Sequence, residues 1–155
     1  MVLGSLPGEA SLRAQRYYAH PRNQFWQLLG AAIGEELAAL DYDDRLARLA
    51  ARGIALWDVV GEAQRQGSLD GAIRSVTPNQ LADYAATHPR LRAIAFNGNT
   101  AARLGRAALA GLDGVQLIDL PSSSPAYTIP FDAKAERWAA LGPLAWPAED
   151  ATLRR

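Results

Sequence analysis

Four short, mostly apolar runs, at residues 1–4, 54–60, 91–96 and 115–120, are separated by stretches whose apolar residues recur at helical spacing. This alternation constrains the fold more than any other feature of the chain. Short apolar strands of this kind are buried on both faces, and strands joined through helices lie parallel. The pattern predicts an α/β protein, a three-layer α/β/α sandwich around a four-stranded parallel sheet. Right-handed crossovers leave few ways to wind it, and the strand order 2-1-3-4 is the simplest. At 155 residues the chain is long enough for one domain, 1–155, with its own core. Residues 144–155 lack a strong pattern and are read as an irregular tail.

The helices are read from apolar spacing and from their ends. Phe25, Trp26, Leu28, Leu29 and Ile33 lie on one helical face, with a start near Pro21. Leu46 and Leu49 mark a helix over 41–51, with Gly53 as its stop. Residues 61–76 are poor in periodicity and are read as a connecting excursion with a short helix. Thr77-Pro78-Asn79-Gln80 is a helix start, with Thr as cap, Pro at the first helical position and Gln returning the hydrogen bond. That helix runs to about residue 87 and ends before Pro89. Further helices are predicted over 100–109 and 132–141.

Composition removes several chemistries. Cysteine is absent, which excludes disulfides, thiolate nucleophiles and Cys-ligated metals. No run of eighteen apolar residues exists and the N-terminal residues do not read as a secretory signal, so a cytoplasmic protein with no membrane span is expected. Formal charge is zero, which argues against a broad basic field over nucleic acid but leaves room for a local footprint. There is no Gly-x-Gly-x-x-Gly, no Gly-Lys-Ser/Thr and no Gly-x-Ser-x-Gly. The two histidines, 20 and 88, are far apart and no acidic cluster accompanies them, so neither metal nor cofactor is expected.

In a sheet of order 2-1-3-4 the ligand crevice lies beyond the carboxyl ends of strands one and three. The segments that fall there are Gly4-Ser5-Leu6-Pro7-Gly8, Asn97-Gly98-Asn99 and Pro121 to Tyr127, the three most unusual loops in the chain. Tyr17-Tyr18-Ala19-His20-Pro21-Arg22-Asn23-Gln24-Phe25-Trp26 adds aromatic, amide and guanidinium groups. Amides read donor and acceptor edges and aromatic faces stack on rings, so the crevice suits a planar, neutral, hydrogen-bonding ligand such as a nucleobase. Reaching a base in a duplex requires rotating it out of the stack. On residue type alone Asn23 equally suits a helix cap, Asn97 a turn and Tyr18 the core.

These residues resemble the uracil-DNA glycosylase superfamily, most closely its hypoxanthine-DNA glycosylase branch. Gly4 to Gly8 matches the Gly-x-x-Pro-Gly first motif. Tyr18 to Trp26 matches the aromatic-Ala-His-Pro-x-Asn-x-Phe-Trp segment of mismatch-specific uracil/thymine relatives, and Leu120 to Ala126 matches the DNA-inserting second motif. The resemblance implies a base-flipping DNA glycosylase that hydrolyses the N-glycosidic bond of deaminated bases, hypoxanthine first and uracil second. It implies Asn23 as the residue positioning water or base, Asn97 on the base edge and Tyr18 stacked on the ring. Gly4 with backbone groups of Ser5 and Leu6 would line the pocket. Ser122, Ser123 and Ser124 would grip phosphates, with Pro125 in the same loop, Ala126 and Tyr127 filling or flanking the vacated stack, and Arg22 near the backbone. Leu6 stands where mismatch-specific relatives carry a water-orienting Asn, and Ser123 and Ser124 stand where a histidine is common. Those substitutions leave open a non-catalytic module that binds damaged DNA or a nucleoside. Lys134, the single lysine, is placed in the last helix away from the crevice, so no amine is available for a Schiff base and a monofunctional enzyme is expected. The expected partner is DNA containing a deaminated base, met by a monomer.

Overall fold

In the computed structural model, which describes residues 1–5, 8–59, 75–76 and 78–148, the apolar tripeptide Val2–Gly4 forms β1 at the centre of the sheet. β1 pairs with β2 (Leu56–Val59) on one side and with β4 (Ala93–Asn97) on the other. β3 (Ser75–Val76) lies beyond β2 and β5 (Gln116–Leu120) beyond β4, so the order is β3-β2-β1-β4-β5 and every pair is parallel. The four strands read from the sequence are β1, β2, β4 and β5, in the predicted order 2-1-3-4. The edge strand β3 was not foreseen: two residues are too few to carry a period. The short helix expected within 61–76 falls outside the described residues, as does the Thr77 cap.

α1 (Glu9–Ala14) follows the first strand, in a stretch where the sequence shows no helical pattern. It buries only Ser11, so it has no apolar stripe to betray it; Gly8 starts it in an extended conformation and left-handed Gln15 ends it. α4 (Pro78–Thr87) begins with its proline, as predicted, and leads from β3 to β4. α5 (Asn99–Ala108) leads from β4 to β5. Leu3, Val59, Leu81, Ile94, Phe96, Ala101 and Leu109 form one continuous core between sheet and helices. At Gly105 an added Cβ would collide with the Phe96 ring, so α5 lies as near to β4 as a glycine allows.

By its contacts the chain divides into two compact units, residues 1–21 with 56–122, and residues 22–55 with 123–155. The first holds the sheet with α1, α4 and α5. The second holds α2 (Phe25–Ile33), α3 (Tyr42–Ala51) and α6 (Phe131–Trp138). α2 starts four residues after Pro21 because the Asn23 Oδ1 accepts the Phe25 N–H at 3.0 Å and closes a turn first. Phe25 meets Trp26 and Trp138 edge to face, at 5.0 and 5.7 Å between centroids, and all three are buried. α6 continues as a 3-10 helix over Ala139–Leu144. Buried Arg52 donates to the Ile33 carbonyl at 3.0 Å and to Glu35 at 2.8 Å, and its guanidinium also holds the Trp146 carbonyl. The tail is therefore pinned at Trp146, although its sequence carries no pattern.

Candidate active site

In the first unit, three strand ends carry the polar groups. β1 ends at Gly4, which lies in register with Asp58 of β2, and β4 ends at Asn97. An added Cβ on Gly4 would collide with Asp58 Oδ1 and stand 3.0 Å from the Tyr18 hydroxyl. The carboxyl and the phenol thus converge on space that only glycine leaves open. Tyr18 also hydrogen-bonds the Asn97 side chain. That bond works against the upward shift of the phenol, as an amide N–H donating to the phenol oxygen does. Burial, first, and the Asp58 charge, second, raise the Tyr18 pKa, so the hydroxyl keeps its proton. Burial also pushes Asp58 up to about 7.

Tyr18 sits at φ 53°, a left-handed conformation that costs a bulky side chain roughly 1–3 kcal/mol. Tyr17, its neighbour, is buried as core. α1 has a part in holding this turn, because the Ala19 N–H donates to Ser11 Oγ at 3.0 Å. Beyond Asn97, the Gly98 N–H donates to the Leu120 carbonyl at 3.0 Å, and the Gly98 Cβ position lies 3.2 Å from Ser122 Cβ. The turn after β4 and the residues leaving β5 therefore meet, as the crevice reading required.

The second unit carries Asn23 and the 123–127 loop. Asn23 accepts the Phe25 N–H on its Oδ1, a side-chain turn one residue ahead of the Gln24 N-cap of α2, and its amide nitrogen takes no part in that bond. The Gln24 N–H donates to the Ser123 carbonyl at 3.0 Å, and Ser123 itself is buried. Ser124 Oγ accepts the Ala126 N–H at 3.2 Å, and the Ser124 carbonyl accepts both the Tyr127 N–H at 3.1 Å and Lys134 Nζ at 3.3 Å. Lys134 is 1% exposed and lies 5.4 Å from the centre of the Tyr127 ring. Its burial lowers its pKa. The lysine is thus on the last helix, as predicted, but not remote: it holds up the very loop read as the DNA contact. Pro125, Ala126 and Tyr127 are exposed, as is Arg22.

The structure joins Gly4, Tyr18 and Asn97 in one cluster and adds Asp58, which sequence reasoning missed. Its signal was present: an acid near the carboxyl end of an otherwise apolar strand, in a fold whose ligands lie at that end. Ser5 is half-buried at the rim and Leu6 lies outside the described residues. Glu9 pairs with Arg13 on the surface of α1. No group of three or more His, Asp or Glu able to hold a metal occurs among the described residues.

A parallel sheet whose carboxyl edge gathers a phenol, an amide and a buried carboxyl defines an α/β protein built to bind a hydrogen-bonding ligand at its strand ends. The family model described as Uracil DNA glycosylase superfamily matches residues 1–142, and the chain belongs to that superfamily. A protein of Methanosarcina acetivorans named hypoxanthine DNA glycosylase is 38% identical over 141 residues, covering 91% of this chain and 88% of its own. One of the same name from Methanosarcina barkeri is 43% identical over 98 residues, 63% of this chain and 62% of its own length. The solution NMR structure of a candidate uracil DNA glycosylase from Methanosarcina acetivorans superposes with a TM-score of 0.70 at 34% identity, covering 91% of this chain and 86% of that one. Among the described residues no helix is long and apolar enough to cross a membrane.

Proposed function

We propose that the protein is a monofunctional DNA glycosylase that removes deaminated bases, hypoxanthine first and uracil second, acting as a monomer in the cytoplasm. The observation that carries this reading is the joining of Tyr18 and Asn97 by a hydrogen bond beside Gly4, at the strand ends where the fold binds ligands. Relatives named hypoxanthine DNA glycosylase support the substrate and do not favour a non-catalytic module. Hydrolysis of the N-glycosidic bond passes through an oxocarbenium-like sugar while negative charge gathers on the departing base. Asn97 binds the base edge and stabilises that charge, and the Tyr18 ring stacks on the base while its hydroxyl holds the Asn97 amide. Gly4 and the backbone of Ser5 line the pocket.

In the second unit, Asn23 positions water or the base through its amide nitrogen, which the bond to Phe25 does not use. Ser124 grips phosphate, as does Ser122 at the end of the first unit, Arg22 offers a further phosphate contact, and buried Ser123 contributes through its backbone. Tyr127 is 44% exposed and, with Pro125 and Ala126, suits the part of a wedge in a vacated stack. Lys134 supports this loop through its charge, so it is not offered as a nucleophile.

The deciding experiment is incubation of the protein with single-site deoxyinosine and deoxyuridine duplexes, followed by alkali. Strand scission only after alkali, stronger for deoxyinosine, is expected, and borohydride should trap no adduct. Intact strands with both substrates would refute the glycosylase reading. Asn97→Ala is expected to slow excision by about 10²-fold or more, the scale of losing one donor aimed at developing charge.

A further inference from the structure

Asp58 takes no part in the roles above, yet the fold goes to some length to keep it. A carboxyl inside an apolar strand is costly to bury, and among the described residues no ion pair includes it. The opposite position on β1 must be glycine to leave it room. We propose that Asp58 is the acid of the excision: its carboxyl, placed beside the Tyr18 hydroxyl and the Asn97 amide at the sheet's carboxyl edge, passes a proton to the departing purine. This rests on the reading of the protein as a glycosylase that removes hypoxanthine.

The step balances without a co-reactant. The bond from C1′ to N9 breaks and its electron pair goes to the ring, where the Asp58 proton is taken up on a ring nitrogen. The sugar cation takes the oxygen of water, and a proton from that water restores the carboxyl by way of solvent. Neutral hypoxanthine and an abasic site result. The neighbours suit an acid better than a base: a phenol that keeps its proton and an amide are donors, and donors favour negative charge on the leaving group. Burial places the carboxyl near 7, where a proton is both present at neutral pH and readily given up.

The titratable groups around it are few. β3 contributes none, and the Met1 amine, whose pKa burial lowers to about 6, precedes β1 at the strand's other end. α4 brings Asp83 and Tyr84, the latter against Trp57 on the opposite face of β2, and the loop after α1 presents Tyr17 and Tyr18. α5 carries Arg103 and Arg106, both exposed, the latter paired with Asp119 at 3.0 Å. The pH response of the site is therefore assigned to Asp58.

The test is single-turnover excision from a deoxyinosine duplex between pH 5.5 and 9 by the full chain and by Asp58→Asn, with unfolding of both monitored. For the unaltered protein the rate should be highest on the acid side and fall about tenfold per pH unit above about 7, as the carboxyl ionises. Asp58→Asn should lose about 10²-fold at pH 6 and show no such fall. A rate that is flat or rises through pH 7 in the unaltered protein overturns the proposal, even if the variant does not fold. So does a folded variant with an unchanged rate. Absence of abasic product at every pH overturns the glycosylase reading instead, which separates the two failures.

Discussion

Gly4 and Asp58 face each other across the β1–β2 ladder, and their relation has a price in stability that pH controls. The Asp58 carboxyl has an ordinary value of 3.8 and is pushed up to about 7 by burial, so between those values the folded chain holds a proton that the unfolded chain has released. Linkage then makes stability fall as pH rises from about 4 to about 7, and level off above. About three pH units at roughly 1.36 kcal/mol each set an upper bound of about 4 kcal/mol. Between pH 5 and pH 8 the Asp58 share is about two units, roughly 2.7 kcal/mol, and denaturant unfolding should show it as the difference in pH dependence between the native protein and Asp58→Asn. Equal pH dependence in both would show that Asp58 is not the group responsible. At this scale residue type left Tyr18 open to the core and Asn97 to a turn, and it was the family resemblance that singled them out. Asp58 carried a signal in its place near the carboxyl end of an apolar strand, but the register with Gly4 is what shows that it has been given room.

The elements show a similar division. β1, β2, β4 and β5 carry enough apolar residues to be read directly, and their parallel order follows from short crossovers. α1 escaped because six residues with one buried position have no amphipathic face, and β3 because two residues have no period. The 123–127 loop was recognised by its composition, but its support was not, because the link from Lys134 to the Ser124 carbonyl depends on where α6 docks. Replacing Lys134 with Met keeps an apolar stem of similar length and removes that bond. Hydrogen exchange at residues 124–127 should then accelerate by about tenfold or more, given that a bond to a charged donor contributes roughly 1.5–3 kcal/mol. Global stability should hold or rise, since a buried ammonium is no longer desolvated. Unchanged exchange in the loop would show that the lysine does not brace it.

For the molecule as a whole, zero formal charge sets the terms on which it meets DNA. A footprint of one to three phosphates gives a slope of log K against log salt of roughly −1 to −3, at about −0.9 per contact. Fluorescence anisotropy with an undamaged duplex across a salt series measures this directly, and a slope steeper than about −6 would reveal a broad basic surface instead. The fold class was legible in the alternation of the chain, whereas the division into two compact units was not: units built from separated stretches leave no boundary in composition. Lys134 draws a last consequence at this scale. With the only lysine sealed beneath a loop, every cationic side chain that permanently faces water is a guanidinium. The protein's fixed positive charge is thus planar, forked and indifferent to alkali.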